Sequence, residues 1–362
     1  MSKESMSLED LRAEIDRLDQ QLVRVLNERV SHALEIGRLK NKDRSAVYVP
    51  AREKQVLDRV SSYNDGPLTD SMLHAIYREI MSGSIALERK ISIAYLGPPA
   101  TFSHQAARNK FGSSVDYQAC NTIGDVFLAV QGESAEYGVV PIENSTEGAV
   151  TYTLDQFINT PVKICAEILL PVSQNLLAKG PQEEIETIYS HQQVFGQCRR
   201  WLQENMPSVK QVPVSSTAAA ARMAAEEAGT GALASRLAGE MNDLNVLAGD
   251  VQDLMGNTTR FLVIGRQAGK PSGRDKTSVF FSVKHRAGAL HDSLVPFRKN
   301  GINLSKIESR PSKEKAWEYY FFVDIEGHVD DEPVRKSIDE LKEHCSVLTI
   351  LGSYPNAAPP PE

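Results

Sequence analysis

Residues 7–40 read as one long helix whose apolar residues fall on a single narrow seam: Leu8, Leu11, Ile15, Leu18, Leu22 and Val25. The alternation of three and four is the pattern of a helix packed along one side against another. A helix of that length cannot bury such a seam inside a small monomeric bundle, so the seam needs a partner chain. Continued in register, it reaches Arg29 and His32 before Ile36 and Leu39. A cation on a packing seam is costly unless an anion meets it. Lys40 follows Arg29 by about three turns, so both point the same way, roughly 16 Å apart along the axis. Two cations facing one interior line describe a pocket for a small polyanion, a buried ion pair or a solvated face, and spacing alone leaves these open.

The chain has 362 residues, enough for two or three domains. A formal net charge of −7, without a clustered basic surface, argues against a nucleic-acid partner. No stretch has the character of a signal peptide or the length to cross a bilayer, so a cytoplasmic protein with no membrane contact is expected. Cys120, Cys165, Cys198 and Cys345 are scattered without a Cys-x-x-Cys pair, which suits reduced thiols. The histidines make no ligand pattern, and no metal is expected.

Three blocks differ in their periodicity. Residues 1–90 are helical: the long helix, broken at Asn41-Lys-Asp43, a second helix after Pro50, and a third from about Leu68. The turn Asn64-Asp-Gly-Pro67 separates the last two. Residues 91–267 alternate strands and helices in α/β fashion, with candidate chemistry at strand ends and helix starts. There Ser216-Thr217 is expected to cap an Ala-rich helix over 218–228 that closes at Gly229. After a polar linker, residues 277–355 read strand, helix, strand, strand, helix, strand, the ferredoxin-like unit. The Pro-rich tail from Ala357 is expected to be disordered. Gly229-Thr-Gly231-Ala-Leu-Ala234 fits a dinucleotide pattern, but it follows a helix and enters a strand, the reverse of the required context.

Taken singly, Ser84 and Glu88 on one helix face, or Arg52-Glu53 at a helix start, are no more than solvated charges. Arg12 lies roughly 26 Å before Arg29 on the same helix and can share a small pocket with it only from a second, antiparallel copy. Together, Leu11-Arg12, Asp19, Glu28-Arg29, Gly37-Arg-Leu-Lys40, Arg52-Glu53, Ser84 and Glu88 resemble the all-helical chorismate mutase domain of bifunctional chorismate mutase–prephenate dehydratases. The resemblance implies a dimer with intertwined long helices. It places Arg29, Lys40, Arg52, Glu53, Ser84 and Glu88 around chorismate, with Arg12 borrowed from the other copy. The reaction is a unimolecular rearrangement that needs no nucleophile and no proton transfer. It needs a compact conformer held and charge on the ether oxygen stabilised. By resemblance, Arg29 and the borrowed Arg12 take the carboxylates, Lys40 the ether oxygen and Glu53 a hydroxyl. Two positions depart from the family pattern. Glu88 stands where Gln is frequent, and only a protonated carboxyl donates a hydrogen bond. Val49 replaces an Asp of related enzymes and is given no side-chain role.

In the second block, Thr101-Phe-Ser103-His104 after Gly97-Pro-Pro, Glu143-Asn144-Ser145, Gln197-Cys198, Ser216-Thr217 and Thr259-Arg260-Phe261 occur in the order of the prephenate dehydratase domain and resemble it. That domain has two α/β lobes, like periplasmic binding proteins, with the site in the cleft. Its reaction expels hydroxide and carbon dioxide from prephenate, driven by aromatisation. The resemblance puts Thr259 nearest the departing hydroxyl and makes Glu143 and Gln197 further catalytic candidates. Thr101, Ser103, Asn144, Ser145, Ser216, Thr217, Arg260 and Phe261 become substrate contacts, with Phe261 under the ring and a helix start seating a carboxylate.

In the third block, Gly288-Ala289-Leu290 and Glu308-Ser309-Arg310-Pro311 resemble the phenylalanine-binding segments of the family's ACT regulatory domain. The implied architecture is therefore multidomain: an all-helical mutase (1–90), a two-lobed α/β dehydratase (91–267) and an α+β ACT domain (277–355). The implied partners are chorismate, prephenate, the effector L-phenylalanine and at least one further copy of the chain, with no cofactor. Two rivals remain: a mutase fused to a prephenate dehydrogenase, and a non-catalytic amino-acid sensor.

Overall fold

The computed structural model describes residues 6–41, 48–284, 286–312 and 318–357. Helix α1 spans Leu8–Asn41, one residue into the expected break. The remainder of that break and the far end of the Pro-rich tail lie outside the described residues. Helix α2 (Pro50–Ser62) starts on proline, whose missing N–H costs nothing at a helix start. Helix α3 (Asp70–Glu88) is capped by Thr69, whose side chain accepts from the Met72 N–H at 3.3 Å. Along α1 the six seam residues from Leu8 to Val25 are 47–64% exposed, so no described part of the chain covers them.

The second block builds two sheets. Its first lobe runs β1 (Ser92–Leu96), α4 (Phe102–Phe111), β2 (Asp116–Cys120), α5 (Ile123–Gln131), β3 (Tyr137–Asn144), β4 (Gly148–Ala149), α6 (Thr151–Ile158) and β5 (Lys163–Pro171). The chain then crosses into the second lobe. This contains β6 (Asn175–Ala178), β7 (Thr187–His191), α7 (Gln192–Gln197), α8 (Arg199–Asn205), β8 (Lys210–Val214), α9 (Thr217–Glu226), β9 (Thr230–Ala234), α10 (Arg236–Met241) and β10 (Asn245–Ala248). It returns as β11 (Thr258–Gly265), which sits between β3 and β5 in the first sheet, antiparallel to both. The first sheet has the order β2-β1-β3-β11-β5 and the second β10-β6-β9-β7-β8. Two chain crossings between lobes make a cleft, and the ends of β1 and β3 and the start of β11 open onto it. Helix α9 ends earlier than expected: Glu227 is already extended, and Gly229 supplies a left-handed turn (φ 70°) into β9 rather than closing the helix.

The last block forms β12 (Asp275–Val283), α11 (Ala289–Lys299), β13 (Leu304–Pro311), β14 (Tyr319–Glu326), α12 (Glu332–His344) and β15 (Cys345–Pro355). Its antiparallel sheet has the order β13-β14-β12-β15, as a ferredoxin-like unit should.

These blocks share cores. One face of the first sheet buries Ile93, Tyr95, Val139, Phe261 and Val263 together with Tyr48 from the helical block. The other face buries Val140, Leu262 and Ile264 against Phe280, Phe322 and Tyr354 of the last block. Arg260 points to that second face. Its Nε lies 2.7 Å from Glu167, its Nη1 2.6 Å from Asp324, and its Nη2 donates to the Tyr354 hydroxyl at 3.0 Å. Burial opposes its charge, but Tyr354, Asp324 and Glu167 hold the guanidinium protonated, with its pKa raised. Arg260→Met removes the cation that buried Glu167 and Asp324 share across two blocks, leaving Glu167 to Lys276 at 3.0 Å and Asp324 without a cation among the described residues. It is expected to lower unfolding free energy by about 3–5 kcal/mol in urea titration; a loss below 1 kcal/mol would show the cluster to be structurally idle.

Candidate active sites

The helical block gathers a cavity of about 220 Å³ lined by Arg29, Arg52, Glu53, Ser84 and Glu88, five of the seven residues expected there. Arg29 Nη1 donates to Ser84 Oγ at 3.4 Å, joining α1 to α3. Glu53 Oε2 accepts from the Tyr48 hydroxyl at 2.8 Å and lies 2.7 Å from Lys110 Nζ. Burial, then the Glu53 carboxylate, pushes the Tyr48 phenol well above its ordinary pKa, so it remains a donor. Lys40 occupies the last turn of α1, and its side chain lies outside the described residues. Arg12 is not among the residues lining the cavity. Val49 lines it and holds the N-cap position of α2.

Glu88 Oε1 is buried and finds no hydrogen-bond partner among the described residues. A Cβ on Gly37 would stand 2.5 Å from the Glu88 carboxyl carbon, so this glycine is what lets α1 and α3 close over that carboxyl. A carboxylate oxygen can only accept at this position, whereas a glutamine amide donates. Glu88→Gln is therefore expected to raise kcat/KM of the mutase activity that the sequence implies. An unchanged or lower value would refute this.

In the cleft between the lobes, Asn144 ends β3 and Thr259 is the second residue of β11, directly paired across the sheet. The Asn144 side-chain oxygen accepts from the backbone N–H groups of Thr146 and Glu147 at 3.0 and 3.2 Å, which fixes the amide's orientation. Its Nδ2 therefore donates, to Thr259 Oγ1 at 2.8 Å and to Asn257 Oδ1 at 2.7 Å. With an acceptor position of its oxygen taken, the Thr259 hydroxyl keeps its own proton to give. Gln197, on α7 of the far lobe, reaches back to Glu147 in the β3–β4 loop at 3.5 Å, beside Gln193 at 3.3 Å. Ser145 joins the same corner: its Oγ accepts from the Thr258 N–H at 3.0 Å.

Thr101 caps α4 and donates to the Leu96 carbonyl at 3.0 Å, and Ser103 is buried in the first turn. Beside it in the same turn, His104 Nδ1 accepts from the Ala100 N–H, and its ring stacks on Tyr95 at 4.5 Å. Burial, then the nearby Arg108 charge, lowers its pKa to about 4, so it is neutral near pH 7. Ser216 is occupied as the cap of α9, accepting from Ala219 at 3.1 Å, and Thr217 is buried behind it.

Three expected cleft residues lie elsewhere. Arg260 and Glu143 are paired across β11 and β3 on the face opposite Thr259 and Asn144, because successive strand residues alternate. Glu143 meets Lys306 of the last block at 2.7 Å. Phe261 shares the face of Thr259 but is only 2% exposed, inside the core, so it lies under no open ring site. Residues not anticipated are Tyr48 and Lys110 in the first site and Asn257 and Glu147 in the second. Asn257 adjoins the Thr258-Thr259 pair in sequence, the one signal that marked any of them.

In the last block, Gly288 takes a left-handed φ of 78° before α11, and a cavity of about 280 Å³ is lined by Gly288, Ala289, Leu290 and neighbours from β14. Glu308, Ser309, Arg310 and Pro311 lie on edge strand β13, away from that cavity. The side chain of Arg310 is instead held by Asp155 of α6 through two bonds of 3.1 Å. Alternation along β13 turns Glu308 and Arg310 inward and leaves Ser309 and Pro311 exposed.

A helical bundle enclosing a pocket with two arginines, a two-lobed cleft with Asn144 and Thr259 at its edge, and an appended ferredoxin-like module define a multidomain protein with two candidate active sites. Three family models match in sequence: "Chorismate mutase type II" over residues 11–89, "Prephenate dehydratase" over 93–269 and "ACT domain" over 277–343. A relative from Aquifex aeolicus, named a bifunctional chorismate mutase/prephenate dehydratase, is 49% identical over 97% of this chain and 98% of its own. One of the same name from Neisseria gonorrhoeae is 45% identical over 95% of each. The crystal structure of a prephenate dehydratase from Arthrobacter aurescens in complex with L-Phe superposes with a TM-score of 0.68 at 33% identity, covering 74% of this chain and 90% of that one. The chain belongs to the family of bifunctional chorismate mutase/prephenate dehydratases.

Proposed function

We propose that the chain rearranges chorismate to prephenate in the helical block, then converts prephenate to phenylpyruvate in the cleft, under feedback by L-phenylalanine. The observation that carries the reading is the convergence of Arg29, Arg52, Glu53, Ser84 and Glu88, scattered over three helices, on one small cavity. Arg29 and Arg52 supply the charge that a dicarboxylate needs. Lys40 is assigned the ether oxygen and Glu53 a hydroxyl. The exposed α1 seam favours a homodimer in which the partner's Arg12 completes each site. Thr259, held by Asn144, gives a hydrogen bond to the departing hydroxyl, with Gln197, Thr101, Ser103, Ser145, Ser216 and Thr217 around the cleft.

Phenylalanine is assigned to the Gly288–Leu290 turn, where the backbone of a helix start meets its carboxylate, with Ser309 and Pro311 presented by edge strand β13 of a second copy. Its binding shifts the cleft's population between open and closed lobes. The proposed modules are 1–90, 91–267 and 277–355. Unpaired cysteines and the lack of any described helix able to cross a membrane fit a cytoplasmic enzyme.

Supplying prephenate directly tests the second half. Phenylpyruvate formed without nucleotide and suppressed by L-phenylalanine is expected. Dependence on a nicotinamide cofactor would instead favour the dehydrogenase fusion, and phenylalanine binding without turnover the sensor.

A further inference from the structure

The mutase cavity is not walled by the helical block alone. Lys110 and Phe111, the last residues of α4 in the dehydratase block, line it as well. Lys110 Nζ lies 2.7 Å from Glu53 Oε2, with the Glu53 side chain 11% exposed. Tyr48 approaches the same carboxylate oxygen from the other side at 2.8 Å. Tyr48 is itself seated in the dehydratase core: it packs on Phe111 at 4.8 Å, and its carbonyl accepts from the Tyr137 hydroxyl at 3.0 Å. Two further links hold α3 to the same region, Arg78 to the Asn109 carbonyl at 3.0 Å and the Ser114 N–H to Ser82 Oγ at 3.1 Å.

We infer that Lys110, from the dehydratase block, is a positioning residue for the mutase reaction, fixing the Glu53 carboxylate and offsetting its charge against an incoming dianion. The inference rests on the reading of Glu53 as a chorismate ligand. A dicarboxylate entering this cavity meets Arg29 and Arg52, but also Glu53. An unpaired carboxylate there repels the substrate, and its side chain is free to swing. The Lys110 ammonium removes both obstacles, leaving a Glu53 lone pair to accept from a substrate hydroxyl. The mutase pocket of this chain is thereby completed by its dehydratase neighbour.

The test is steady-state kinetics on the full-length chain. Lys110→Met is expected to raise KM for chorismate about tenfold with kcat held within about threefold, the loss of one charge-assisted contact. Lys110→Arg should restore KM to within about threefold. Turnover of supplied prephenate should be unchanged in both, which reports an intact fold. Tyr48→Phe, which keeps the ring and removes the bond to Glu53, should raise KM for chorismate about threefold and decides the matter if Lys110→Met does not fold. An unaltered KM in a Lys110→Met chain that turns over prephenate normally, or an unaltered KM in Tyr48→Phe, overturns the inference. A wild-type chain that does not consume chorismate would instead overturn the reading of Glu53 itself.

Discussion

Arg12→Ala is expected to lower mutase kcat/KM by about 10²–10³-fold, although Arg12 lies roughly 26 Å along α1 from Arg29 in its own chain. The size of the effect follows from removing one of the cations assigned to a substrate carboxylate in a desolvated pocket. Lys40→Ala should be comparably defective. Mixing the two inactive chains should then restore activity. In a mixed dimer one site takes Arg12 and Lys40 from the intact positions of different chains, and the other loses both. Random exchange therefore predicts about one quarter of wild-type activity. No recovery after subunit exchange, verified by mass-tagged chains, would exclude a shared site. Full activity in Arg12→Ala alone would do the same and would leave the bare seam from Leu8 to Val25 to another purpose.

Thr259→Val is expected to cut dehydratase kcat about 10²–10³-fold while chorismate disappearance continues at the wild-type rate, so prephenate accumulates. Valine matches threonine in shape and β-branching, which preserves β11. What it removes is the hydroxyl that Asn144 orients at 2.8 Å. Asn144 keeps its bond to Asn257 in the variant, so the corner is not expected to collapse. Retention of dehydratase activity in Thr259→Val would move the donor to another residue, with Gln197 the next to test.

What the sequence made legible divides along physical lines. Local periodicity carried the helices of the first block, the strand pattern of the last and the bare α1 seam, because each is written in residues close in sequence. The five pocket residues of the helical block were legible only as an ordered set, since any one of them is an ordinary surface charge. Lys110 left no signal: its partner Glu53 belongs to another block, and a contact between blocks imposes no period on either. Arg260 and Glu143 were misplaced for a different reason. Each adjoins a cleft residue in a motif, yet the two-residue period of a strand sends neighbours to opposite faces. Alternation applied to Thr259-Arg260-Phe261 already separates Arg260 from Thr259; what it cannot say is that Glu167, Asp324 and Tyr354 wait on the other side. Arg310 repeats the lesson on β13, where Asp155 rather than an effector claims it.

The central claim is that one chain carries two consecutive reactions at two separate sites. It is tested most directly by following purified protein with chorismate in the ultraviolet, without nucleotide, in the presence and absence of L-phenylalanine. The account predicts loss of chorismate followed by phenylpyruvate, with phenylpyruvate formation suppressed by L-phenylalanine. Chorismate consumption that halts at prephenate in the wild-type chain would contradict the assignment of the Asn144–Thr259 cleft.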